Sequence, residues 1–217
     1  MSTATQNETP AARRTFLNHK LASILAVAPL GVWSVWHVWS NLAAFGGATA
    51  WEESVTGSKH PLATLATMIV VMLPLVIHTI WGLRRLTTFR PNNDRYGFFG
   101  NLRYILQRAS AVGVLLFLGA HIFLAFIKPR FLEGHPEAFA DITHEMRHHG
   151  PTLMVYVLGT LGVSYHLANG LQSFAMGWGI ATTSRGLKRV EALSLAFFAL
   201  MLAMSWAAVY ALYKAGE

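Results

Sequence analysis

Apolar and polar positions alternate in long blocks along this chain. The run from Leu62 to Leu83 holds 22 residues with one ionisable group, His78, and is closed by Arg84 and Arg85. About 20 apolar residues at ~1.5 Å rise each cross a ~30 Å hydrocarbon core, so this run predicts a membrane-spanning helix. Four more such blocks predict spans over about 21–45, 109–127, 151–176 and 190–213, with the second over 61–83. Polar stretches separate them: a leader at 1–18, a short loop with Glu52, Glu53 and Lys59, a basic loop from Arg84 to Arg108, a long connection from Lys128 to Gly150, and a turn before Arg189. The long connection is expected to hold a short helix near Pro136 to His148. No internal repeat is evident. The expected fold class is an all-α membrane protein, a bundle of five transmembrane helices in a single domain over 1–217.

Composition supports this reading. The chain has 217 residues, of which 53% are hydrophobic and 12% charged, against about 25% charged in a soluble domain. Lys and Arg fall unevenly across the predicted spans. The leader, the loop after the second span and the loop before the fifth carry twelve; the other side carries five, at Lys59, Lys128, Arg130, Arg147 and Lys214. The positive-inside rule then puts the N-terminus in the cytoplasm and the C-terminus outside. The net charge of +7 follows from these loops rather than from nucleic-acid binding. With no cysteine in the chain, thiolate metal sites, iron–sulfur ligation and disulfides are excluded within it. The leader lacks the apolar region and cleavage site of a signal peptide, so the first span is expected to direct insertion.

Histidine adds chemistry to this frame. His37, His78, His121 and His166 fall one on each of the first four spans, 41, 43 and 45 residues apart. A single intramembrane histidine reads as a core residue bonded to a neighbouring helix; four on consecutive spans do not. Their depths differ. His37 and His121 lie about 24 and 18 Å in from the cytoplasmic ends of their helices, while His78 and His166 lie about 23–26 Å in from the outside. The expectation is one pair in the outer half and one near the cytoplasmic face. Two imidazoles on facing helices are the axial ligands of a low-spin haem b. Gly159, Gly162, His166 and Gly170 share one helix face, a groove for a flat ligand or simply a close helix contact. Pro74 precedes His78 by four residues and Gly82 follows it by four. Ser34, Ser40 and Asn41 flank His37 and are candidates to orient its ring.

The fragments SVWHVWSN, VIHTIWGLRR, LGAHIFLAF and SYHLANGLQSF together resemble the di-haem cytochrome b membrane anchor of succinate:menaquinone oxidoreductases and quinol:fumarate reductases. The likeness spans nearly the whole chain. It implies two haems b, a proximal one on His78 and His166 and a distal one on His37 and His121. It implies electron transfer between a cytoplasmic iron–sulfur subunit and quinone, with succinate chemistry in partner flavoprotein and iron–sulfur subunits, in a bacterial cytoplasmic (inner) membrane. Menaquinone is the expected substrate quinone. Ser164 stands where some fumarate-reducing members carry a glutamate of a proton path. Arg84, Arg85 and Arg108 are candidates for the inner haem propionates and Lys128 for the outer, although anchoring at the membrane edge also explains them. Trp51, Glu52, Glu53 and His60 are candidates for an outer quinone site. His144, His148 and His149 have an i, i+4 spacing that can hold a metal but no clear third ligand. Other readings are a quinol:fumarate reductase cytochrome b, the cytochrome b of a hydrogenase or formate dehydrogenase, and a non-redox transporter or proton channel with bare histidines.

Overall fold

A computed structural model describes residues 10–57, 61–91, 94–95 and 97–217. His60, Lys59 and residues 1–9 of the leader lie outside the described residues. Among those described the chain is helical, with no strand: α1 Pro10–Leu25, α2 Val32–Asn41, α3 Ala48–Trp51, α4 Pro61–Thr67, α5 Leu73–Leu86, α6 Phe99–Ile122, α7 Phe139–His148, α8 Gly150–Gly177 and α9 Ser184–Ala215. These form an all-α membrane bundle. The first span, α1 with α2, starts within the predicted leader, which is helical from Pro10. The third starts at Phe99, inside the predicted basic loop. Apolar runs mark only the hydrocarbon-crossing part of a helix, and these helices continue through polar turns at their ends.

Prolines accompany three of the irregularities. Wide π turns occupy Ala26–Gly31 around Pro29, Met68–Met72 just before Pro74, and Phe123–Glu133 around Pro129. A proline cannot donate to the carbonyl four residues back, and the ladder widens around the gap. At the third turn Arg130 Nη1 donates to Ala125 O at 3.3 Å, within the widened ladder.

Among the described residues, four stretches are long and apolar enough to cross a membrane: Arg13–Gly46, Leu65–Leu86, Phe99–Glu133 and Ser184–Ala215. The remaining long helix, α8, is 28 residues long, or about 42 Å. It is central, and its inward face carries polar side chains. Its face toward α6 and α9 buries Thr152, Tyr156, Ser164, Asn169 and Gln172, while Met154 and Leu158 point outward. Small residues on α9, including Ser194, Ser205 and Ala208, are buried, which lets backbones approach. Ser194 Oγ donates to Ala168 O at 2.6 Å.

Successive spans run antiparallel, and contacts at each end join the segments that alternation requires. At one end Lys20 Nζ donates to Gly177 O, and Arg103 pairs with Glu191 at 3.2 Å. At the other, Trp51 packs on Phe139, and Arg147 pairs with Glu217 at 3.5 Å. We call these the inner and outer ends, after their expected sides. The short helix α7 caps the outer end. Phe139, Ile142, Thr143 and Met146 recur at helical spacing and are its buried stripe. Asp141 lies in its first turn and Arg147 in its last, both complementary to the helix dipole.

Candidate functional site

The four intramembrane histidines meet as two pairs. His37 and His121 have ring centroids 5.9 Å apart with planes at 61°. His78 and His166 are 6.3 Å apart at 76°. Antiparallel helices place histidines at these depths side by side only in these combinations. An imidazole nitrogen sits about 2.0–2.1 Å from a bound metal, with the ring centroid about 1.1 Å farther, so two rings on one metal have centroids about 6 Å apart. Both pairs match that spacing.

Aromatic rings build the outer pair. His37 stacks on Trp33, one turn earlier on the same span, at 4.6 Å and 8°. His121 stacks on Phe117, one turn before it on α6, at 5.5 Å and 18°. Across from them on α8, Tyr156 Oη lies 3.0 Å from His121 Nδ1. Ser34, Ser40 and Asn41 act on backbone: Ser34 Oγ donates to Leu30 O, and Ser40 Oγ and Asn41 Nδ2 donate to His37 O. They hold the helix beside the ring. Tyr156 is a partner that sequence reasoning missed; its position one turn before Gly159 on the inward face of α8 was the available signal.

Polar groups build the inner pair. Gln107 Nε2 and Ser110 Oγ lie 3.2 and 3.4 Å from His166 Nδ1. Asn169 Nδ2 donates to Gln107 Oε1 at 2.8 Å. None of these three was anticipated. Buried side-chain atoms without a close hydrogen-bond partner, among the described residues, are His78 Nδ1, Arg108 Nε, Tyr165 Oη and Gln172 Oε1, with Tyr165 turned toward Arg103 and Phe198. Buried polar groups are normally bonded; the unpartnered Nε of Arg108, one residue along α6 from Gln107, fits a site built for a polar-edged ligand. The Arg108 guanidinium lies 3.5 Å from the Tyr104 ring centroid, and its Nη1 donates to Tyr104 O. Arg84 and Arg85 are exposed at the end of α5.

The predicted glycine groove divides. A Cβ at Gly159 would overlap the Phe117 ring, so Gly159 serves close packing of α8 on α6 and is not open to a ligand. At Gly162 a Cβ would touch Val114 at an ordinary 3.7 Å, and at Gly170 and Gly82 it would meet nothing within 4 Å. The space lies one turn beyond His166 and His78.

The residues singled out at the outer end have diverse surroundings. Trp51 is 1% exposed, and its Nε1 donates to Asn41 Oδ1 at 3.1 Å. Glu52 Oε1 accepts from Phe139 N at 3.0 Å, bonding the first turn of α7. Glu53 is exposed. Lys128 pairs with Glu133 at 3.4 Å. His144, His148 and His149 are exposed. Trp36, Trp39, Ser40 and Ser54 line an open recess beside the His37 helix. Glu137, between the third span and α7, has its carboxyl pushed up to about 7 by burial; Arg130 and Lys128 oppose this shift and Asp141 adds to it.

A family model described as succinate dehydrogenase/fumarate reductase transmembrane subunit matches residues 87–208. Over 199 residues the chain is 27% identical to the succinate dehydrogenase cytochrome b558 subunit of Bacillus subtilis (strain 168), spanning 91% of this chain and 97% of that protein.

Proposed function

The chain belongs to the succinate dehydrogenase/fumarate reductase transmembrane-subunit family, and from that premise we propose that it anchors a succinate:menaquinone oxidoreductase and holds two haems b. His78 and His166 hold the inner haem; His37 and His121 hold the outer. When bound, these groups supply one-electron transfer across the membrane. The two histidine pairs, each at a spacing suited to one metal, carry the proposal. The unbonded buried donor of Arg108 supports it, because a porphyrin brings carboxylates as well as a metal. Arg108, with an unbonded buried Nε, is the best placed of the predicted propionate partners. Arg84 and Arg85 add positive charge nearby, and Lys128 fills the corresponding role at the outer end.

Direction follows from the layout. The basic loops share the inner end with His78 and His166, so the iron–sulfur and flavoprotein subunits dock there, on the cytoplasmic side of a bacterial inner membrane. Menaquinone reacts at the outer end. The recess beside His37 offers aromatic walls and two hydroxyls to a flat quinone ring. Glu53 and Glu137 face that end as groups able to exchange protons. Trp51 and Glu52 support it from behind, and His60 completes the predicted set. Succinate oxidation with quinone reduction, rather than the reverse, is the reading the named relative favours.

The test is cofactor content. A pyridine haemochrome assay of the intact complex is expected to give about two haems b per chain. A value near one or zero overturns the reading, and a colourless protein returns the four histidines to a transporter or channel role.

A further inference from the structure

The two pairs differ in what stands behind the ring. His121 has a single phenol at Nδ1. His166 has a side-chain amide and a hydroxyl there, and the amide is itself held in place. Gln107 Nε2 lies 3.2 Å from His166 Nδ1 and donates to His166 O at 3.3 Å. Gln107 Oε1 accepts from Asn169 Nδ2 at 2.8 Å. Ser110 Oγ donates to Gln107 O at 3.1 Å and lies 3.4 Å from the same ring nitrogen. Gln107 and Ser110 are three apart on α6, and His166 and buried Asn169 are three apart on α8, so each couple shares a helix face. The clamp closes across the two helices around one imidazole.

An imidazole that gives its Nε2 lone pair to a metal carries its hydrogen on Nδ1, and that N–H requires an acceptor. Gln107 presents its NH₂ group, which suits the opposite tautomer. A half-turn of the terminal amide exchanges Oε1 and Nε2, and Oε1 then accepts from Nδ1–H. The same half-turn at Asn169 preserves the bond between the amides, with Gln107 Nε2 donating to Asn169 Oδ1. Only the bond to His166 O is given up, the longest of those Gln107 makes. The amide pair thus has two arrangements, one for each tautomer of His166.

We propose that Gln107, latched by Asn169, is the positioning residue that fixes the ligating tautomer of His166 and tunes the inner haem separately from the outer one. The proposal rests on the two-haem reading above. An acceptor on Nδ1–H makes the imidazole more basic and favours the ferric state. Loss of such a partner costs roughly 10- to 100-fold in metal affinity. Each tenfold that falls on the ferric form alone raises the potential by about 59 mV.

The test uses the assembled complex in membranes, with redox titration of the two haems resolved by their visible bands and by low-spin electron paramagnetic resonance. Gln107→Leu is expected to raise the inner potential by at least the equivalent of one tenfold step, to shift the inner haem's g values, and to leave the outer haem unchanged. Gln107→Glu, with a stronger acceptor of similar size, is expected to lower the inner potential. Asn169→Leu follows Gln107→Leu with a smaller shift. Selective loss of the inner haem in Gln107→Leu also supports the proposal; where that variant fails to assemble, Gln107→Glu decides. Unchanged inner potential and g values in Gln107→Leu, or in Gln107→Glu where it decides, overturn it. So does a shift confined to Ser110→Ala, which would make the hydroxyl the acceptor. Absence of haem from the unsubstituted complex overturns the haem reading instead.

Discussion

Replacing Gly159 by alanine is expected to disturb the outer histidine pair and spare the inner one. Gly159 is buried on α8, and three atoms of the Phe117 ring stand where a Cβ would overlap them. That ring stacks on His121 and meets Tyr156 edge-on at 5.7 Å. It cannot turn away without leaving the face of His121. Overpacking of this kind costs about 1–3 kcal/mol, a roughly 5- to 150-fold change in the population of the ordered site. Gly159 is seven residues from His166, about 10 Å along the helix, and the Gln107 clamp is independent of it. Haem content of the purified complex should therefore fall from about two per chain toward about one, with the inner haem's spectrum retained. Gly162→Ala is the control, because its Cβ meets Val114 at an ordinary distance; it should keep both haems. A Gly159→Ala complex with two haems and an unaltered outer spectrum refutes the argument.

Replacing His78 or His166 by alanine should remove the inner haem and weaken assembly, since a group bound only by the folded bundle also stabilises it; haem content and subunit recovery check this. Glu137 titrates from its ordinary 4.5 up to about 7 in the fold, so the folded state binds more protons between those values and loses stability as pH rises through that window, by at most about 3 kcal/mol. Glu137→Gln should flatten this decline and raise the apparent Tm at pH 8, and a variant with an unchanged pH profile refutes the sign. On the proposed layout, electrons moving outward to menaquinone would be driven by a membrane potential worth ~2.3 kcal/mol per charge per 100 mV; an uncoupler should then slow succinate-dependent menaquinone reduction in sealed vesicles, and an unaffected rate places quinone at the inner end.

Which histidines meet was legible in the sequence, because the helical rise converts residue number into depth and antiparallel spans leave only two combinations at equal depth. The helical class was legible from the length of the apolar runs. The partners of the rings were not. Whether Tyr156 or its neighbours face His121 depends on the rotation of α8 about its axis, and no single-helix pattern gives that angle. The amide clamp was hidden for the same reason: Gln107 lies in what reads as a basic loop, and its contact with Asn169 crosses 62 positions. Gly159 looked like part of a ligand groove because sequence shows a missing side chain and not the ring that occupies the space. Trp51 and Glu52 were picked out by their place at a span end, and their partners, Asn41 and the first turn of α7, were not readable there. Helix ends were underestimated wherever a polar turn continues an apolar one.

Packing is unequal between the two ends, and this bears on the order in which the protein is consolidated. The core cluster of buried residues, including Trp51, Phe139, Met146, Tyr156 and Leu212, lies at the outer end. The buried unpartnered atoms of His78, Arg108, Tyr165 and Gln172 lie toward the inner end. A buried polar atom left unbonded costs about 1–3 kcal/mol, and among the described residues no comparable buried apolar cluster lies there. The outer end therefore supports itself, while the inner end gains from whatever binds between α5 and α8. Hydrogen exchange on the complex from haem-starved cells should show Leu73–Leu86 and the C-terminal turns of α8 exchanging much faster than in the haem-replete complex. Helix α7 and the first turns of α8 should remain protected, because α7 is tied down by Glu52 and by its buried stripe. Uniform loosening along the bundle, or faster exchange at α7 than at α5, would show that the outer core does not stand alone and would remove this order of consolidation.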